Sequence, residues 1–449
     1  MAKRFHIRTF GCQMNEHDSE RLAGMLRADG LEATDDPDAA DVIVLNTCCI
    51  RENADNKLYG HLGHLKALKD RRPDVQIAVG GCLAQKDRGD ILRRAGHVDV
   101  VFGTHNLAHA PALLDRARHD GPIVEILEEH AASPAAPPPA RASTHRAWVT
   151  IQIGCDNSCT FCIVPIVRGP EISRRLGDVI HEIEALANDG VREVTLLGQN
   201  VNSYGRDLGA GQYRPRFADL LRAVDAVPGI RRIRFTSPHP KDLRPETIAA
   251  MAECDAVCEQ LHLPLQAGSD RTLARMHRGY TAERYLAKLD AARRAIPDLA
   301  VTTDIIVGFP GETDADFEAT LAVVDTAAFD AAYTFIYSPR PGTPAAELGD
   351  DFVAPEVTQD RLRRLTAVVE RHALAHHEAR IGRVEEILVE GPSKRAPHRI
   401  TGRTRQGKLV HVAAGPGLAV GQLARVRITD AAPHWLAGER VHTIPVAAA

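Results

Sequence analysis

The strongest constraint on this chain is periodic: strand-length apolar runs recur with helix-length segments between them, broken once by a stretch unable to build a core. Four runs precede the break, FHIRTF (5–10), DVIVLNT (41–47), VQIAVGG (75–81) and VDVVFG (98–103), with helical patterns over 16–29 and 53–69. Continuous apolar runs spaced by helices predict a doubly wound α/β domain, a parallel sheet covered on both faces. Residues 131–144, AASPAAPPPARAST, then favour an extended connector. Six more runs follow: WVTIQI (148–153), VTLLG (194–198), RIRFTS (232–237), EQLHLPL (259–265), VTTDIIVG (301–308) and AAYTFIY (331–337). Six βα units predict a partial (β/α)6 barrel, with its chemistry at the C-terminal ends of the strands.

From about residue 380 the pattern changes to short β-type segments, VEEILVEG, GKLVHVAA and GQLARVRITDA, separated by Gly, Pro and Ser. These predict a small C-terminal β-barrel. The expected organisation is an N-terminal domain over 1–120, a linker over 121–145, the partial barrel over 146–377 and the β-barrel over 378–445. An apolar content of 44% and a charged content of 25% suit a soluble globular protein. No run is long enough to span a bilayer, and MAKRFHIRTFGC lacks the apolar core of a secretory signal, so a cytoplasmic location with no membrane partner is expected. A net charge of −4 excludes a globally basic nucleic-acid binder. Locally, however, residues 380–440 hold eleven Lys/Arg against five Asp/Glu. A basic β-barrel suits RNA, with Lys394, Arg395, Arg403, Arg405 and Lys408 as candidate phosphate contacts. The competing reading is a barrel that merely packs on the core.

Nine cysteines, at 12, 48, 49, 82, 155, 159, 162, 254 and 258, point to metal chemistry in a reducing compartment. Cys155, Cys159 and Cys162 form a C-x-x-x-C-x-x-C loop directly after the first barrel strand. Three thiolates can hold three irons of a 4Fe–4S cubane and leave the fourth open to another ligand. Structural zinc needs four ligands, and no fitting His or Cys follows. Cys12, Cys48 and Cys82 each follow the end of an expected strand. In a doubly wound sheet such ends lie side by side, which makes a second three-thiolate set; inert buried cysteines are the competing reading. Cys49 is expected to face away from that set, because consecutive extended residues alternate. Cys254 and Cys258, at i and i+4, could share a helical face, although free thiols are the simpler reading.

The stretches TFGCQMNEHDSE, LNTCCIRENA, VGGCLAQ, GCDNSCTFCIVPIVRGPEISR, LLGQNVNSYG, LHLPLQAGSDRTLARMHRGYT, TDIIVGFPGET and SPRPGTPAA resemble the methylthiotransferase family of radical S-adenosylmethionine (SAM) enzymes. The resemblance covers essentially the full length, and the C-terminal barrel is similar to the RNA-binding TRAM domain. Within the family, NTC-x-IRE-x-A and GCQMNE-x-D are most similar to the branch that acts on isopentenylated adenosine in tRNA. The resemblance implies two 4Fe–4S clusters, one on Cys12, Cys48 and Cys82, the other, SAM-binding, on Cys155, Cys159 and Cys162. It implies SAM contacts near Phe161, Gly198, Gln199, Asn200 and Gly308. The implied reaction replaces C2–H of N6-isopentenyladenosine beside the anticodon by a methylthio group. One SAM would give the methyl group and a second the hydrogen-abstracting radical. The implied partners are the tRNA anticodon loop, a flavodoxin- or ferredoxin-like electron donor and a sulfur donor. Alternatives are methylthiolation of threonylcarbamoyladenosine or of a ribosomal-protein aspartate, and a non-catalytic iron–sulfur redox sensor that binds RNA. Two departures stand out: Cys49 where the branch usually has serine, and VPIVRG in place of VPYTRG.

Overall fold

The computed structural model describes residues 2–49, 52–128, 138–208, 216–415 and 418–443, apart from the side chains of 52–55, 442 and 443. The chain divides into two compact units. One comprises Met1–Ala142, Ile153–Asn157 and Cys162–Ile172; the other comprises Ser143–Gln152, Ser158–Phe161 and Ser173–Ala449.

The first unit is built on six parallel strands: β1 (Arg4–Phe10), β2 (Glu32–Ala33), β3 (Val42–Thr47), β4 (Gln76–Gly81), β5 (Val100–Phe102) and β6 (Ile123–Glu125). Their order is β2-β1-β3-β4-β5-β6. Alternation along the strands sends Ile43, Leu45, Ile77, Val79 and Val101 to one face, against Leu58, Leu62, Leu65 and Leu68 of helix α2 (Glu52–Arg71). Val42, Val44, Ala78, Val100 and Phe102 go to the other, against Leu22, Met25 and Leu26 of helix α1 (Gln13–Ala28). Each fully buried leucine contributes roughly 1.5–3 kcal/mol, and two such faces make the doubly wound sheet that the apolar runs predict. The short edge strands β2 and β6 carry no apolar run long enough to announce them. β6 falls within the expected linker, where the Leu127 N–H also donates to Asn106 Oδ1 at 2.9 Å. At the far end of that segment the Ala140 N–H donates to the Glu20 carbonyl at 2.8 Å, and the Ala142 N–H to Glu20 Oε1 at 2.9 Å. The connector is therefore anchored to α1 by residues 140–142. The proline run itself, within 129–137, lies outside the described residues.

In the second unit, strands Arg146–Thr150, Glu193–Leu197 and Arg232–Phe235 form one parallel sheet, and Gln260–His262, Ala300–Val307 and Ala331–Ile336 a second. A parallel bridge from Ile233 to Val257 joins them. All six predicted barrel strands are present, in chain order. The C-terminal segment closes five strands, Val384–Pro392, Arg399–Thr404, Leu409–Ala413, Leu423–Ala432 and Trp435–Thr443, into a barrel without free edges. Its core is Ile387, Val389, Val410, Val412, Val426 and Leu436. Among the described residues, no helix is long and apolar enough to cross a membrane.

The turn between the second and third strands of this small barrel seats against the N-terminal ends of the six-stranded array. Arg405 pairs with Glu259 at 2.8 Å, Lys408 with Asp330 at 2.6 Å, and Gln406 donates to Asp298 at 3.1 Å. Arg232 and Arg234 donate to the carbonyls of Arg403 and Thr404, each at 2.8 Å. Arg403 itself pairs with Glu390 at 3.2 Å. Three of the five candidate phosphate contacts, Arg403, Arg405 and Lys408, are thus engaged within the protein. Lys394 and Arg395 stay exposed.

The Lys408–Asp330 pair is almost fully buried. Burial alone would raise the Asp330 carboxyl, but the Lys408 ammonium and the Val301 N–H hold it below its ordinary value of 3.8. Lys408→Ala should destabilise the full chain by about 3–5 kcal/mol in urea unfolding, because it strands a buried charge. A Lys408→Met/Asp330→Leu double variant should recover most of that loss. A carboxyl depressed in the folded state stabilises fully above its unfolded pKa and ceases to do so as the pH falls through its folded one. The difference between wild type and double variant should therefore change below about pH 4, and again in alkaline solution as Lys408, whose ammonium burial lowers below its ordinary 10.5, loses its proton.

Candidate metal centres

In the first unit, the register of three neighbouring strands fixes where the cysteines emerge. Phe10 of β1 pairs with Thr47 of β3, which pairs with Gly81 of β4. All three strands end on this one rung. Cys48 and Cys82 follow it immediately, and Cys12 follows by two residues. Neighbouring strands lie roughly 4.8 Å apart, so the outer two of three span about 10 Å. Three cysteines leaving one sheet edge from adjacent strands are a donor set that a multi-iron cluster could use. Among the described residues, no group of three or more His, Cys, Asp or Glu side chains is placed to hold a single metal ion.

The glycines before two of these cysteines make the approach possible. A Cβ on Gly11 would lie 2.6 Å from Cys48 Cβ. Gly81, at φ +94°, would bring one within 2.6 Å of the Thr47 carbonyl. The Cys48 N–H donates to the Phe10 carbonyl at 2.7 Å, tying β3 to β1 just past the rung. Cys12 caps α1, where the unpaired N–H groups favour a thiolate. Its thiol is lowered to about 6, first by a hydrogen bond with Cys48 and then, against burial, by Asn15 and Arg168. Cys82 is lowered to about 7, first by a hydrogen bond with Cys49 and then, against burial, by Arg168. Neither Arg168 nor its partner was singled out from sequence. Arg168 is buried, with Nη2 2.7 Å from Asp18 Oδ2, and it directly follows Ile166 and Val167, the two positions where VPIVRG departs from VPYTRG.

Cys49 corrects one expectation. It does not face away: its side chain bonds to Cys82, and this bond, with burial, pushes its own thiol well up. β3 ends at Thr47 and residue 49 lies in a bend, so strand alternation no longer applies. For Cys254 and Cys258 the structure favours the simpler reading, free thiols. The helix Pro245–Glu253 ends before both, and the Cys258 N–H bonds to the Ile233 carbonyl at 3.0 Å, so they share no helical face. Burial pushes the Cys254 thiol up to about 11 and raises that of Cys258, as for inert core thiols. The IRENA stretch lies partly outside the described residues, at 50 and 51.

The second cysteine loop is held by the unit to which each part belongs. In the first unit, the Cys155 N–H donates to the Gly169 carbonyl at 3.1 Å and Asp156 Oδ1 accepts from the Glu171 N–H at 2.9 Å. In the second, Thr160 is bonded at both its N–H and its hydroxyl to the carbonyls of Met276 and Arg275, at 3.2 and 2.8 Å. Arg278 Nη1 then donates to Cys159 Sγ at 3.2 Å. Arg278 is 6% exposed; it also reaches the Pro264 carbonyl and the Tyr280 hydroxyl, but no carboxylate pairs with it among the described residues. A buried guanidinium without a counter-ion is costly. A thiolate at Cys159 would supply the negative charge that is missing.

Of the expected SAM contacts, Phe161 meets Phe309 edge-on at 6.5 Å. Gly198 begins the loop after strand Glu193–Leu197, with Gln199 beside it, and Val201 Cα would lie 3.2 Å from an added Cβ. Asn200 Nδ2 donates to Asp242 Oδ2 at 2.8 Å, while its buried Oδ1 accepts no hydrogen bond. That orphaned acceptor suits an ammonium or amide donor on a ligand. Gly308, at φ +71°, has its N–H taken by Glu312 Oε2 at 2.7 Å, and its close neighbour is Thr358. Its glycine character is thus explained by the turn and by Thr358.

After anaerobic reconstitution with iron and sulfide, Arg278→Met should lower the reduction potential of the cluster on the Cys159 loop by on the order of 50–100 mV, since a hydrogen bond from a charged donor is worth about 1.5–3 kcal/mol. Arg278→Lys should recover part of it. An EPR-monitored titration reads the shift.

The chain is similar to known proteins over most of its length. Residues 4–103 match the UPF0004 family, described as uncharacterized, residues 149–324 the Radical SAM superfamily, and residues 378–441 the TRAM domain. A tRNA-2-methylthio-N(6)-dimethylallyladenosine synthase from Acidothermus cellulolyticus is 55% identical over 97% of this chain and 88% of its own. The enzyme of the same name from Salinispora arenicola is 54% identical over 96% and 87%. Among solved structures, the radical SAM methyltransferase TsrM from Kitasatospora setae aligns over 77% of this chain and 74% of its own, with a TM-score of 0.54 at 14% identity, a likeness of fold alone. This chain belongs to the tRNA-2-methylthio-N(6)-dimethylallyladenosine synthase family of radical SAM enzymes.

Proposed function

We propose that this protein methylthiolates C2 of N6-isopentenyladenosine beside the tRNA anticodon, using two three-cysteine iron–sulfur sites. The observation that carries this reading is the common rung on which β1, β3 and β4 end, because it gathers Cys12, Cys48 and Cys82 although they are far apart in sequence. An enzyme that only generated a radical would need the Cys155, Cys159 and Cys162 loop alone. With its groups bound, the protein would have an open iron that splits SAM to a 5′-deoxyadenosyl radical and a second cluster that lends sulfur. The protein's own residues hold and bias these groups: Asn200 offers its free acceptor, Phe161 its ring, and Arg168 and Arg278 their charge. C2–H carries neither an acidic proton nor a leaving group, so polar catalysis has no foothold there. A flavodoxin- or ferredoxin-like protein would supply electrons and a separate donor the sulfur. A non-catalytic sensor of RNA would have no use for an open SAM-binding barrel.

Two measurements test this. Oxygen-free, reconstituted protein should hold about eight irons if both clusters are cubanes, and Cys12→Ala/Cys48→Ala/Cys82→Ala should remove half. That variant should still form 5′-deoxyadenosine from SAM and dithionite yet no methylthioadenosine; Cys159→Ala should lose both products. Full iron in the triple variant, or prenylated tRNA left unmodified by wild type, would overturn the reading.

With Arg403, Arg405 and Lys408 engaged internally, the exposed Lys394 and Arg395 are the proposed phosphate contacts on the small barrel, together with the exposed Arg399 and Arg425. Lys394→Ala/Arg395→Ala should weaken tRNA binding for all sequences alike. It should also reduce the slope of log K against log salt by about 1–2, read by filter binding across a salt series.

A further inference from the structure

Strand Ala300–Val307 separates two environments. Val301, Ile305 and Val307 are fully buried against the helices, whereas Thr302, Asp304 and Ile306 are only half-buried, on the opposite, concave face of the half-barrel. The parallel register places neighbours on the same face: His262 beside Thr302, Tyr333 beside Asp304, and Phe335 beside Ile306. These side chains interact. His262 Nδ1 lies 3.0 Å from Thr302 Oγ1, and Nε2 lies 3.4 Å from Asp304 Oδ2. The His262 ring meets that of Tyr333 edge-on, with centroids 6.1 Å apart. Tyr333 is 58% exposed although it lies inside the half-barrel.

Two features here have no structural explanation. Asp304 pairs with no lysine or arginine among the described residues; its one contact is the long one to His262, which leaves acceptor capacity facing the open interior. A half-buried carboxylate with spare acceptor capacity can take a hydrogen bond from a ligand's N–H. Tyr333 likewise offers an uncovered ring face where an aromatic ligand could stack. One rung nearer the C-terminal ends, Ile306 and Phe335 form an apolar step.

We propose that Asp304, His262 and Tyr333 are positioning residues that hold the target base in the half-barrel. Tyr333 stacks on the purine, Asp304 accepts the exocyclic N6–H, and His262 keeps the carboxylate in place. Ile306 and Phe335 take the branched five-carbon tail. This rests on the reading of function above and deepens it. The same set selects against the alternative substrates, since threonylcarbamoyladenosine and an aspartate side chain each bring a carboxylate towards Asp304 with no lysine or arginine on these rungs to offset it.

The experiment uses the full-length, reconstituted enzyme with tRNA carrying isopentenyladenosine. It reads KM for tRNA, kcat, and the 5′-deoxyadenosine formed per methylthio group. Tyr333→Ala and Asp304→Asn should each raise KM at least tenfold and the abortive ratio severalfold, with iron content and circular dichroism unchanged. Tyr333→Phe, which keeps the ring, should reverse most of the loss. Variants with wild-type KM and wild-type coupling would overturn the base-holding role while wild-type product leaves the broader function standing. Absence of product from wild type would instead overturn that function.

Discussion

Three parallel strands that stop on the same rung govern the chemistry of the first unit. Once Phe10, Thr47 and Gly81 are in register, the next residues must leave the sheet along one edge, and no folding of distant loops is needed to gather Cys12, Cys48 and Cys82. The order β2-β1-β3-β4-β5-β6 puts those strands next to one another. It also opens the switch point between β1 and β3, where the chain leaves in opposite directions and ligands of such sheets bind. The glycines at 11 and 81 follow from the same constraint, because side chains there would fill the space through which neighbouring strand ends approach. Backbone hydrogen bonding thus does for the first cysteine set what a short sequence motif does for the second.

In the second unit, charge has two uses that composition alone cannot separate. The surplus of Lys and Arg after residue 380 reads as an RNA-binding surface, yet much of it seats the small barrel on the N-terminal ends of the half-barrel strands. The acidic partners Glu259, Asp298 and Asp330 each lie just before a strand, so they are invisible as a group in the sequence and become a ring only when the strands align. That contact turns the array's base into a closed, ion-paired floor. The opposite ends, with the cysteine loop and the Gly198–Asn200 loop, are left for the chemistry.

How legible each part was follows from the range of the interaction that fixes it. Long apolar runs marked the strands of both α/β parts because burial on two faces leaves little freedom in residue choice. β2 and β6, of two and three residues, left no such trace. The i, i+4 spacing of Cys254 and Cys258 carries no shared helical face because Cys254 already sits past the helix end, capping it in an extended conformation. Cys49 misled for the related reason that the strand stops two residues earlier. Arg168 and Arg278 lie inside stretches that carry the family resemblance, but no local pattern marks their roles; they matter through contacts with Asp18 and Cys159, over separations of 150 and 119 residues.

Those two arginines also bear on what the cysteines are for. A core thiol needs no positive charge, and placing a guanidinium beside one sets a desolvation cost against no gain. Arg168 is at least neutralised by Asp18. Among the described residues Arg278 is not: its hydrogen bonds go to a carbonyl, a phenol and Cys159 Sγ. Elsewhere in the second unit, buried arginines such as Arg361 and Arg380 have carboxylates at 2.7–2.9 Å. An arginine that departs from this rule is stable only if its sulfur neighbour carries the missing charge, which a metal-ligating thiolate does at every accessible pH and a free thiol does not. The buried cation therefore fits a charged sulfur at Cys159, as a metal ligand there would be, on grounds independent of the spacing of the cysteines.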